Sequence, residues 1–333
     1  MKKNFSVLGS GSWGTVLANL LANNGNKVNL WTKNVDIFNS IKNKNLNEKY
    51  LPELKLNSSI NVTLELKECF QENELLLIAI PSRGIKELSE DVSSLALQSN
   101  KFILASKGID GDTFKTMSEI FSKNSNVSEN NIFVLSGPNL AKEISDNYSA
   151  ASVLAGSSID SIKDIATSFN TDTFKIFLSD DKKGVELAGA LKNIYAISAG
   201  LSDGLGSKFN TKAMILTRSL SEMSILFEAL GANPMTLLGL AGVGDLIATS
   251  SSSNSRNYSF GFRIGQGEVK EDAINSIGQV VEGISTLETV FNKKNELNLS
   301  MPIVEELHKI IFNNSNPKDC FANIFHESNN IDS

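Results

Sequence analysis

One lysine in the second half of the chain is hard to explain as a surface residue. Residues 185–201 read VELAGALKNIYAISAGL, a helical pattern in which the only charged residues are Glu186 and Lys192. Because apolar residues occupy nearly every face of such a helix, we expect Lys192 to be buried, which is rare for a lysine without a role. A buried ammonium can have its pKa lowered and serve as a proton donor. The alternative is a lysine whose stem crosses the apolar surface so that the ammonium reaches water.

Polar residues that could hold an anion follow later in the chain. Asp245 lies in the segment AGVGDL, where glycines allow its carboxylate to approach another group closely. Ser255, Arg256 and Asn257 then place a hydroxyl, a guanidinium and an amide side by side. If Arg256 opens a helix, its planar fork and the neighbouring N–H groups suit a phosphate. The cluster therefore predicts an anion site.

A glycine-rich turn near the start of the chain could hold a dinucleotide. Gly9, Gly11 and Gly14 form a G-x-G-x-x-G pattern between the apolar run FSVL and the helical pattern TVLANLL. In a strand-turn-helix context these glycines allow a tight turn, close approach of a pyrophosphate and close packing of helix on sheet. The helix N-terminus adds N–H donors and a positive dipole. The alternative is a turn with only a structural role.

The residues after the second strand bear on the choice of coenzyme. NAD-specific proteins usually carry an acidic residue there, about 20 residues after the glycines, to bind the ribose hydroxyls. This chain reads Trp31-Thr32-Lys33-Asn34 instead. Asp36 lies slightly too far along to be the usual ribose ligand, although one turn of geometry could bring it within reach. Lys33 could meet a 2'-phosphate, so the sequence predicts that NADP is accepted. The alternative is a solvated lysine at a strand end.

Three later strand ends also carry polar residues. They read IPS at 80–82, SKG at 106–108 and SGPNLAKE at 136–143. Ligands of doubly wound sheets bind outside the carboxyl ends of the strands, so these turns are expected to face one crevice. Lys107 is the best charged candidate among them, with a surface lysine in a turn as the alternative.

Composition excludes several classes of protein. The 333 residues include 31 Lys and Arg against 37 Asp and Glu, a net charge of -6 that disfavours general binding of polyanions such as nucleic acid. No apolar run approaches the ~18 to 20 residues of a membrane span. Cys69 and Cys320 are too far apart for a disulfide framework, and MKKNFSVL is too short in apolar residues for a signal peptide, which together predict a cytoplasmic protein. His308 and His326, the only histidines, both lie near the chain end, which argues against a metal site or a catalytic triad.

The elements that must position these residues fall into two groups. Short unalternating apolar runs in the first 180 residues predict a parallel sheet covered on both faces, hence an α/β fold. They lie at 5–8, 28–31, 75–79, 102–105, 132–135, 151–155 and 173–178. Longer helical patterns follow at 183–203, 208–230, 235–248 and 279–293. We therefore expect a doubly wound Rossmann-type domain at 1–182 and an all-helical substrate domain at 183–333.

Several segments together resemble the bacterial NAD(P)-dependent glycerol-3-phosphate dehydrogenases. They are GSGSWGT, SKGI, SGPNLAKEI, GALKNIYAISAGLSDGLG, AGVGDL, SNSRN and VVEG, spread over nearly the whole chain. The first is generic, whereas their order and combination are specific. The resemblance implies a cytoplasmic homodimer that reduces dihydroxyacetone phosphate to sn-glycerol 3-phosphate with NADPH or NADH, feeding glycerophospholipid synthesis.

The resemblance also assigns individual residues. It gives cofactor contacts to Ser12, Trp13, Lys33, Lys107, Ala141, Arg256, Val280 and Glu282, besides the three glycines. It gives substrate contacts to Lys107, Gly137, Asn139, Lys192, Asn193, Asp245, Ser255, Arg256 and Asn257. In the mechanism that it implies, Lys192 donates the proton and Lys107 stabilises the developing oxyanion. Asp245 orients Lys192 or a substrate hydroxyl, and no metal takes part.

The chain departs from the family pattern in places. Asn139-Leu140 stands where serine or threonine and phenylalanine are common, Thr249-Ser250 replaces Thr-Cys, and Arg218-Ser219 replaces Arg-Gly. Lys33 stands where the family often has arginine, and a lysine cannot grip a phosphate bidentately, so the coenzyme preference stays open.

Two other functions fit part of the pattern. A dehydrogenase for a small hydroxy acid would share the glycine turn and the helical lysine, yet it would have less use for Ser255, Arg256 and Asn257. A dinucleotide sensor without activity would not require a buried Lys192.

Overall fold

The computed structural model describes residues 2–71, 74–95 and 99–326, and this part of the chain divides into two compact units. Unit 1 consists of the chain up to Lys107 together with Lys115–Glu186. Unit 2 consists of Gly108–Phe114 together with the chain from Leu187 onward. The predicted domains, 1–182 and 183–333, differ in that 108–114 belongs with the second unit and the change comes after Glu186. Residues 327–333 of the predicted second domain lie outside the described residues.

One sheet forms the centre of unit 1. Among the described residues its strands are β1 (Asn4–Leu8), β2 (Lys27–Trp31), β3 (Asn61–Thr63), β4 (Leu75–Ile78), β5 (Lys101–Leu104), β6 (Ile132–Ser136), β7 (Ala150–Ala155) and β8 (Phe174–Ser179). Their order is β3-β2-β1-β4-β5-β6-β7-β8. The chain moves from β1 to β2 on one side and later to β4 on the other, so the strand order reverses beside β1. In doubly wound folds such a reversal opens the crevice that binds dinucleotides.

Both faces of the central strands of this sheet are buried, which explains their unalternating apolar runs. In β4, Leu75 and Leu77 pack into one hydrophobic cluster while Leu76 and Ile78 pack into another. Successive side chains of a strand point to opposite faces, so each face needs its own apolar residues. The α/β class predicted from these runs is confirmed.

Helices cover the faces of the sheet. Those of unit 1 are α1 (Ser12–Asn23), α2 (Val35–Lys44), α3 (Ile85–Ser93), α4 (Met117–Ser125), α5 (Ala141–Ser145) and α6 (Ile159–Ala166). Local capping fixes where some of them begin: Asn34 Oδ1 accepts the Ile37 N–H at the start of α2, and Thr116 with Glu119 forms a capping box on α4.

Unit 2 is built from helices, as predicted. They are α7 (Lys182–Gly204), which starts in unit 1, then α8 (Phe209–Ala229), α9 (Asp245–Ser251), α10 (Arg256–Gly265), α11 (Lys270–Ile277), α12 (Glu282–Glu296), α13 (Pro302–Asn313) and α14 (Pro317–His326). α7 packs directly on the backbone of α10. A Cβ on Gly200 would lie 2.0 Å from the Tyr258 carbonyl oxygen, and one on Gly261 would lie 2.0 Å from that of Ile197. Glycine is therefore required at both positions.

A buried carboxyl group joins three helices of unit 2. Glu222 of α8 accepts the Ile303 N–H of α13 at 2.6 Å and the Tyr195 hydroxyl of α7 at 3.2 Å. The N–H groups in the first turn of a helix have no partner within the helix, and Glu222 accepts one of those of α13. Burial raises the pKa of Glu222 to about 8, because the charged form loses its hydration.

The structure corrects three sequence predictions. The short strand Asn61–Thr63 was not predicted, and β6 pairs antiparallel with β7, whereas the other neighbouring strands are parallel. Residues 235–248 do not form one α-helix: a 3-10 helix at Pro234–Leu238 and a π-helical turn at Leu240–Gly244 precede α9. The chain doubles back there, since a Cβ on Gly242 would lie 2.2 Å from the Leu237 carbonyl oxygen.

No helix in the described ranges is long and apolar enough to cross a membrane.

Candidate functional site

The three glycines of the first turn have different reasons to be glycine. Gly9 has a φ of +119° and a Cβ there would lie 2.6 Å from the Ala79 carbonyl oxygen. A Cβ on Gly14 would lie 2.0 Å from the Gly9 carbonyl oxygen, so α1 packs on β1 at this point. Gly11 is different, because its φ is -67° and a Cβ would meet no atom within 4 Å. The protein's own packing does not require glycine at 11, whereas a pyrophosphate approaching the backbone would.

The start of α1 is suited to an anion. The helix begins at Ser12, and its N-cap Gly11 offers no side-chain acceptor to the first-turn N–H groups. Such groups need partners, and together with the helix dipole they favour a negative charge. The indole Nε1 of Trp13 is a buried donor without a hydrogen-bond partner among the described residues. The loop therefore fits the phosphates of a dinucleotide, with its donors already in place.

The loop after β2 holds a pair of opposite charges. Lys33 Nζ donates to Glu87 Oε1 of α3 at 2.7 Å and lies 5.7 Å from the centre of the Trp31 ring. The bond to Lys33 lowers the pKa of the Glu87 carboxyl. Thr32 shapes the loop, since its hydroxyl oxygen accepts from Ser10 Oγ at 2.7 Å and from the Asn34 N–H at 3.1 Å. The sequence did not indicate a role for Glu87.

The ends of β5 and β6 bring three predicted residues together. Lys107 Nζ donates to the Gly137 carbonyl oxygen at 3.0 Å. Gly137 has a φ of +142°, and its Cβ would lie 3.1 Å from the Ser152 Cα. The Ser152 hydroxyl donates to Asn139 Oδ1 at 2.6 Å, while Asn139 Nδ2 is buried without a partner among the described residues. Ser152 thus orients the Asn139 amide. Ala141 starts α5 directly after this loop.

In unit 2, the predicted lysine is buried against a carboxylate. Lys192 is 6% exposed and Asp245 is 1% exposed, so both side chains are buried. Lys192 Nζ donates to Asp245 Oδ1 at 2.6 Å and to Thr249 Oγ1 at 2.5 Å. The Thr249 hydroxyl donates in turn to Asp245 Oδ1 at 3.2 Å. Sequence reasoning assigned no role to Thr249, although its spacing of four from Asp245 in a helix would have placed both on one face.

Burying this ion pair is costly, which suggests a role beyond packing. Each charge loses hydration worth several kcal/mol, and a buried pair rarely stabilises a protein more than apolar residues of the same size would. Charged groups held out of water in this way are common where chemistry takes place. Lys192 and Asp245 are therefore the strongest candidates for catalysis in unit 2.

The donor cluster lies at the start of α10, and Arg256 opens that helix, the condition under which the sequence favoured a phosphate site. Ser255 Oγ accepts the Tyr258 N–H at 3.3 Å as the N-cap. Arg256 is exposed, and its Nη1 donates to the Val280 carbonyl oxygen at 2.9 Å. Glu282, another predicted cofactor contact, begins α12. Arg256, Val280 and Glu282 all lie in unit 2, whereas the glycine loop and Lys33 lie in unit 1.

Two asparagines link this cluster to the helix of Lys192. Asn257 Nδ2 donates to Asn193 Oδ1 at 2.8 Å, and Asn257 Oδ1 accepts the Gly283 N–H at 2.9 Å. Asn193 directly follows Lys192 in α7. A Cβ on Gly283 would lie 2.7 Å from the Asn193 carbonyl oxygen, so α12 begins in tight contact with α7.

Among the described residues, no group of three or more His, Cys, Asp or Glu could hold a metal ion.

Family models and related proteins match nearly the whole chain. The model described as NAD-dependent glycerol-3-phosphate dehydrogenase N-terminus matches residues 4–161, and the corresponding C-terminus model matches 181–322. The chain is 42% identical over 314 residues to glycerol-3-phosphate dehydrogenase (NAD(P)+) of Staphylococcus epidermidis, covering 93% of this chain and 94% of the relative. It is 42% identical over 307 residues to the enzyme of the same name from Ectopseudomonas mendocina, covering 92% and 89%.

A solved structure is similar over the same extent. The crystal structure of glycerol-3-phosphate dehydrogenase from Coxiella burnetii matches with a TM-score of 0.92 and 32% identity, covering 98% of this chain and 99% of that one. The glycerol-3-phosphate dehydrogenase of Plasmodium falciparum matches with a TM-score of 0.88 and 26% identity, covering 100% and 97%.

Proposed function

The chain belongs to the NAD-dependent glycerol-3-phosphate dehydrogenase family, and we propose that it reduces dihydroxyacetone phosphate to sn-glycerol 3-phosphate with Lys192 as the proton donor. It is an NAD(P)-dependent oxidoreductase. The observation that carries the proposed mechanism is the buried pair of Lys192 and Asp245. The family resemblance supports three further parts of the proposal: a homodimer, a place in the cytoplasm, and a product used in glycerophospholipid synthesis.

Lys192 has the chemistry for proton donation to a ketone oxygen. When bound, the reduced nicotinamide supplies a hydride to the carbonyl carbon, and charge then develops on the oxygen. The Asp245 carboxylate and the Thr249 hydroxyl orient the Lys192 ammonium. Giving up a proton leaves a neutral amine, the form that burial favours, while Asp245 stabilises the ammonium before transfer. The pair therefore holds a proton donor in a buried position.

The start of α10 supplies the features that a phosphate needs. Arg256 offers a planar guanidinium at a helix N-terminus, where backbone N–H groups and the dipole also favour an anion. Asn193 and Asn257 connect this phosphate position to the helix of Lys192. Binding energy gained at a remote phosphate can then orient the ketone for reaction. For Lys107, held on the Gly137 carbonyl, we propose stabilisation of the developing oxyanion.

Initial rates test the substrate. Oxidation of NADH and of NADPH is followed with dihydroxyacetone phosphate and, in parallel, with dihydroxyacetone. We expect fast turnover only with the phosphorylated ketone. Equal rates with both ketones would contradict a role for the phosphate, and protein that binds coenzyme but reduces neither ketone would overturn the proposed substrate.

A variant of Arg256 tests the phosphate position. Arg256→Gln removes the charge and should raise the KM for dihydroxyacetone phosphate by roughly tenfold to a hundredfold, the loss of one or two charge-assisted hydrogen bonds. The control is Arg263→Gln near the other end of α10, where the guanidinium pairs with Glu268 at 2.9 Å. An unchanged KM in Arg256→Gln, or an equal rise in both variants, would refute the assignment.

A further inference from the structure

The chain lacks the acidic residue that NAD-specific proteins carry after the second strand, yet the structure supplies a carboxylate at that place from another element. Lys33 follows β2, where a carboxylate would otherwise bind the ribose hydroxyls. Glu87 lies in the first turn of α3, 54 residues further along, and its Oε1 is 2.7 Å from Lys33 Nζ. A positively charged and a negatively charged side chain therefore lie together where the coenzyme ribose is expected to bind.

The sheet topology explains how the two residues meet. β2 and β4 flank β1 on its two sides, and all three run parallel. The loop after β2 and the helix that follows β4 consequently start from the same edge of the sheet as the glycine loop after β1. This is the reversal point at which doubly wound folds bind a dinucleotide.

Both members of the pair are accessible to a ligand. The side chains of Lys33 and Glu87 are 63% and 70% exposed. The hydrogen bond from Lys33 lowers the pKa of Glu87, so this carboxylate is ionised at neutral pH. A carboxylate accepts hydrogen bonds from hydroxyls and repels a phosphate, whereas an ammonium attracts a phosphate. The two groups therefore act in opposite directions on the choice between NADH and NADPH.

We propose that Glu87 is a specificity-determining residue for the coenzyme: it takes the place of the missing acidic residue, favours a ribose 2'-hydroxyl, and opposes a 2'-phosphate by repulsion and by engaging Lys33. A 2'-phosphate reaches Lys33 only in competition with Glu87. The inference rests on the coenzyme part of the proposed function and is independent of the ketone substrate.

Binding of two coenzyme fragments tests the proposal without catalysis. Adenosine 2',5'-bisphosphate and AMP differ only in the 2'-phosphate, and isothermal titration calorimetry gives the Kd of each for the full-length protein. In Glu87→Gln, we expect the preference for the bisphosphate over AMP to rise roughly threefold to tenfold at low ionic strength, the range for a screened surface charge. The increase should shrink in 0.5 M salt, where the screening length falls to a few ångströms.

Two further variants separate charge placement from general effects. Glu48→Gln removes another exposed carboxylate, which pairs with Lys44 at 2.8 Å and whose side chain is 48% exposed, and it should leave the fragment preference unchanged. Lys33→Gln should lower the preference for the bisphosphate. In kinetic assays with the preferred ketone, Glu87→Gln should raise the ratio of kcat/KM for NADPH to that for NADH by the same factor.

The possible results are distinct. A fragment preference that is unchanged or reduced in Glu87→Gln overturns the proposal, and so does protein that binds neither fragment. An increase of the same size in Glu48→Gln would attribute the effect to net charge and also overturn it. Failure to reduce dihydroxyacetone phosphate would refute the proposed substrate while leaving the fragment result valid.

Discussion

Replacing Lys192 by methionine separates the cost of burying a charge from its use in catalysis. Methionine keeps a long unbranched stem, so Lys192→Met removes the ammonium with little loss of packing. The Asp245 carboxylate, 1% exposed, then stays buried with the Thr249 hydroxyl still donating to it. Breaking a buried ion pair by removing one partner costs about 3 to 5 kcal/mol, and we expect the free energy of unfolding to fall by that amount.

The double variant Lys192→Met with Asp245→Asn removes both charges. Since a buried pair contributes little net stability, this protein should recover to within about 1 to 2 kcal/mol of the wild type. Activity should not recover, because the proton donor is still missing, and kcat should stay about 10² to 10⁴-fold below that of the wild type. Stability and activity are thus expected to separate in the double variant.

Urea unfolding followed by circular dichroism gives the free energies, and initial rates of coenzyme oxidation give kcat. Lys212→Met is the control, because Lys212 pairs with Asp203 at 2.7 Å in the same unit with side chains 17% and 22% exposed. It should lose less stability and keep its kcat. The reasoning is refuted if Lys192→Met retains kcat within tenfold of the wild type, or if the double variant is as unstable as the single one.

Two other predictions concern the glycine loop and Glu222. Gly11→Ala should stay within about 1 kcal/mol of wild-type stability but bind the coenzyme at least about tenfold more weakly, whereas Gly14→Ala should lose about 2 kcal/mol or more of stability because its Cβ meets the backbone of Gly9. Calorimetric titration measures coenzyme binding and urea unfolding measures stability. Equal stability of the two variants would contradict the different roles assigned to these glycines. For Glu222, folding raises the pKa from 4.5 to about 8, so the folded protein keeps a proton that the unfolded chain releases, and stability is lost as the pH rises through this window. At about 1.4 kcal/mol per pH unit, the free energy of unfolding of the wild type should fall by about 4 to 5 kcal/mol relative to that of Glu222→Gln between pH 4.5 and 8. If the two proteins show parallel curves of stability against pH, this prediction is refuted.

The fold was largely predictable because a sheet covered on both faces leaves a strong apolar signal. The strand Asn61–Thr63 escaped, since it is three residues long and lies at the sheet edge beside β2. The antiparallel direction of β7 escaped for another reason: an apolar run carries no information on strand direction. The break within 235–248 depends on a backbone contact between Gly242 and Leu237, which periodicity does not report.

The candidate site was predictable where burial or a local motif marked a residue. The burial of Lys192 was predicted because its helix has no polar face, and the turn at Gly11 was predicted because the glycine pattern lies within a few consecutive residues. Glu87 was missed because its partner Lys33 is 54 residues away and both are ordinary surface residues in their own segments. Only the strand order brings these two residues together, and no short segment of sequence predicts the strand order.

The backbone contact between α7 and α10 limits how this enzyme can evolve. The packing at Gly200 and Gly261 leaves no room for any side chain, so neither glycine can be replaced by another residue during evolution. The helix that carries Arg256 therefore keeps its position relative to the helix of Lys192 while other parts of unit 2 change. New substrates can be reached by exchanging side chains at the start of α10, but not by sliding the helix. In a library of random variants, these glycines should tolerate replacement as poorly as Lys192 itself.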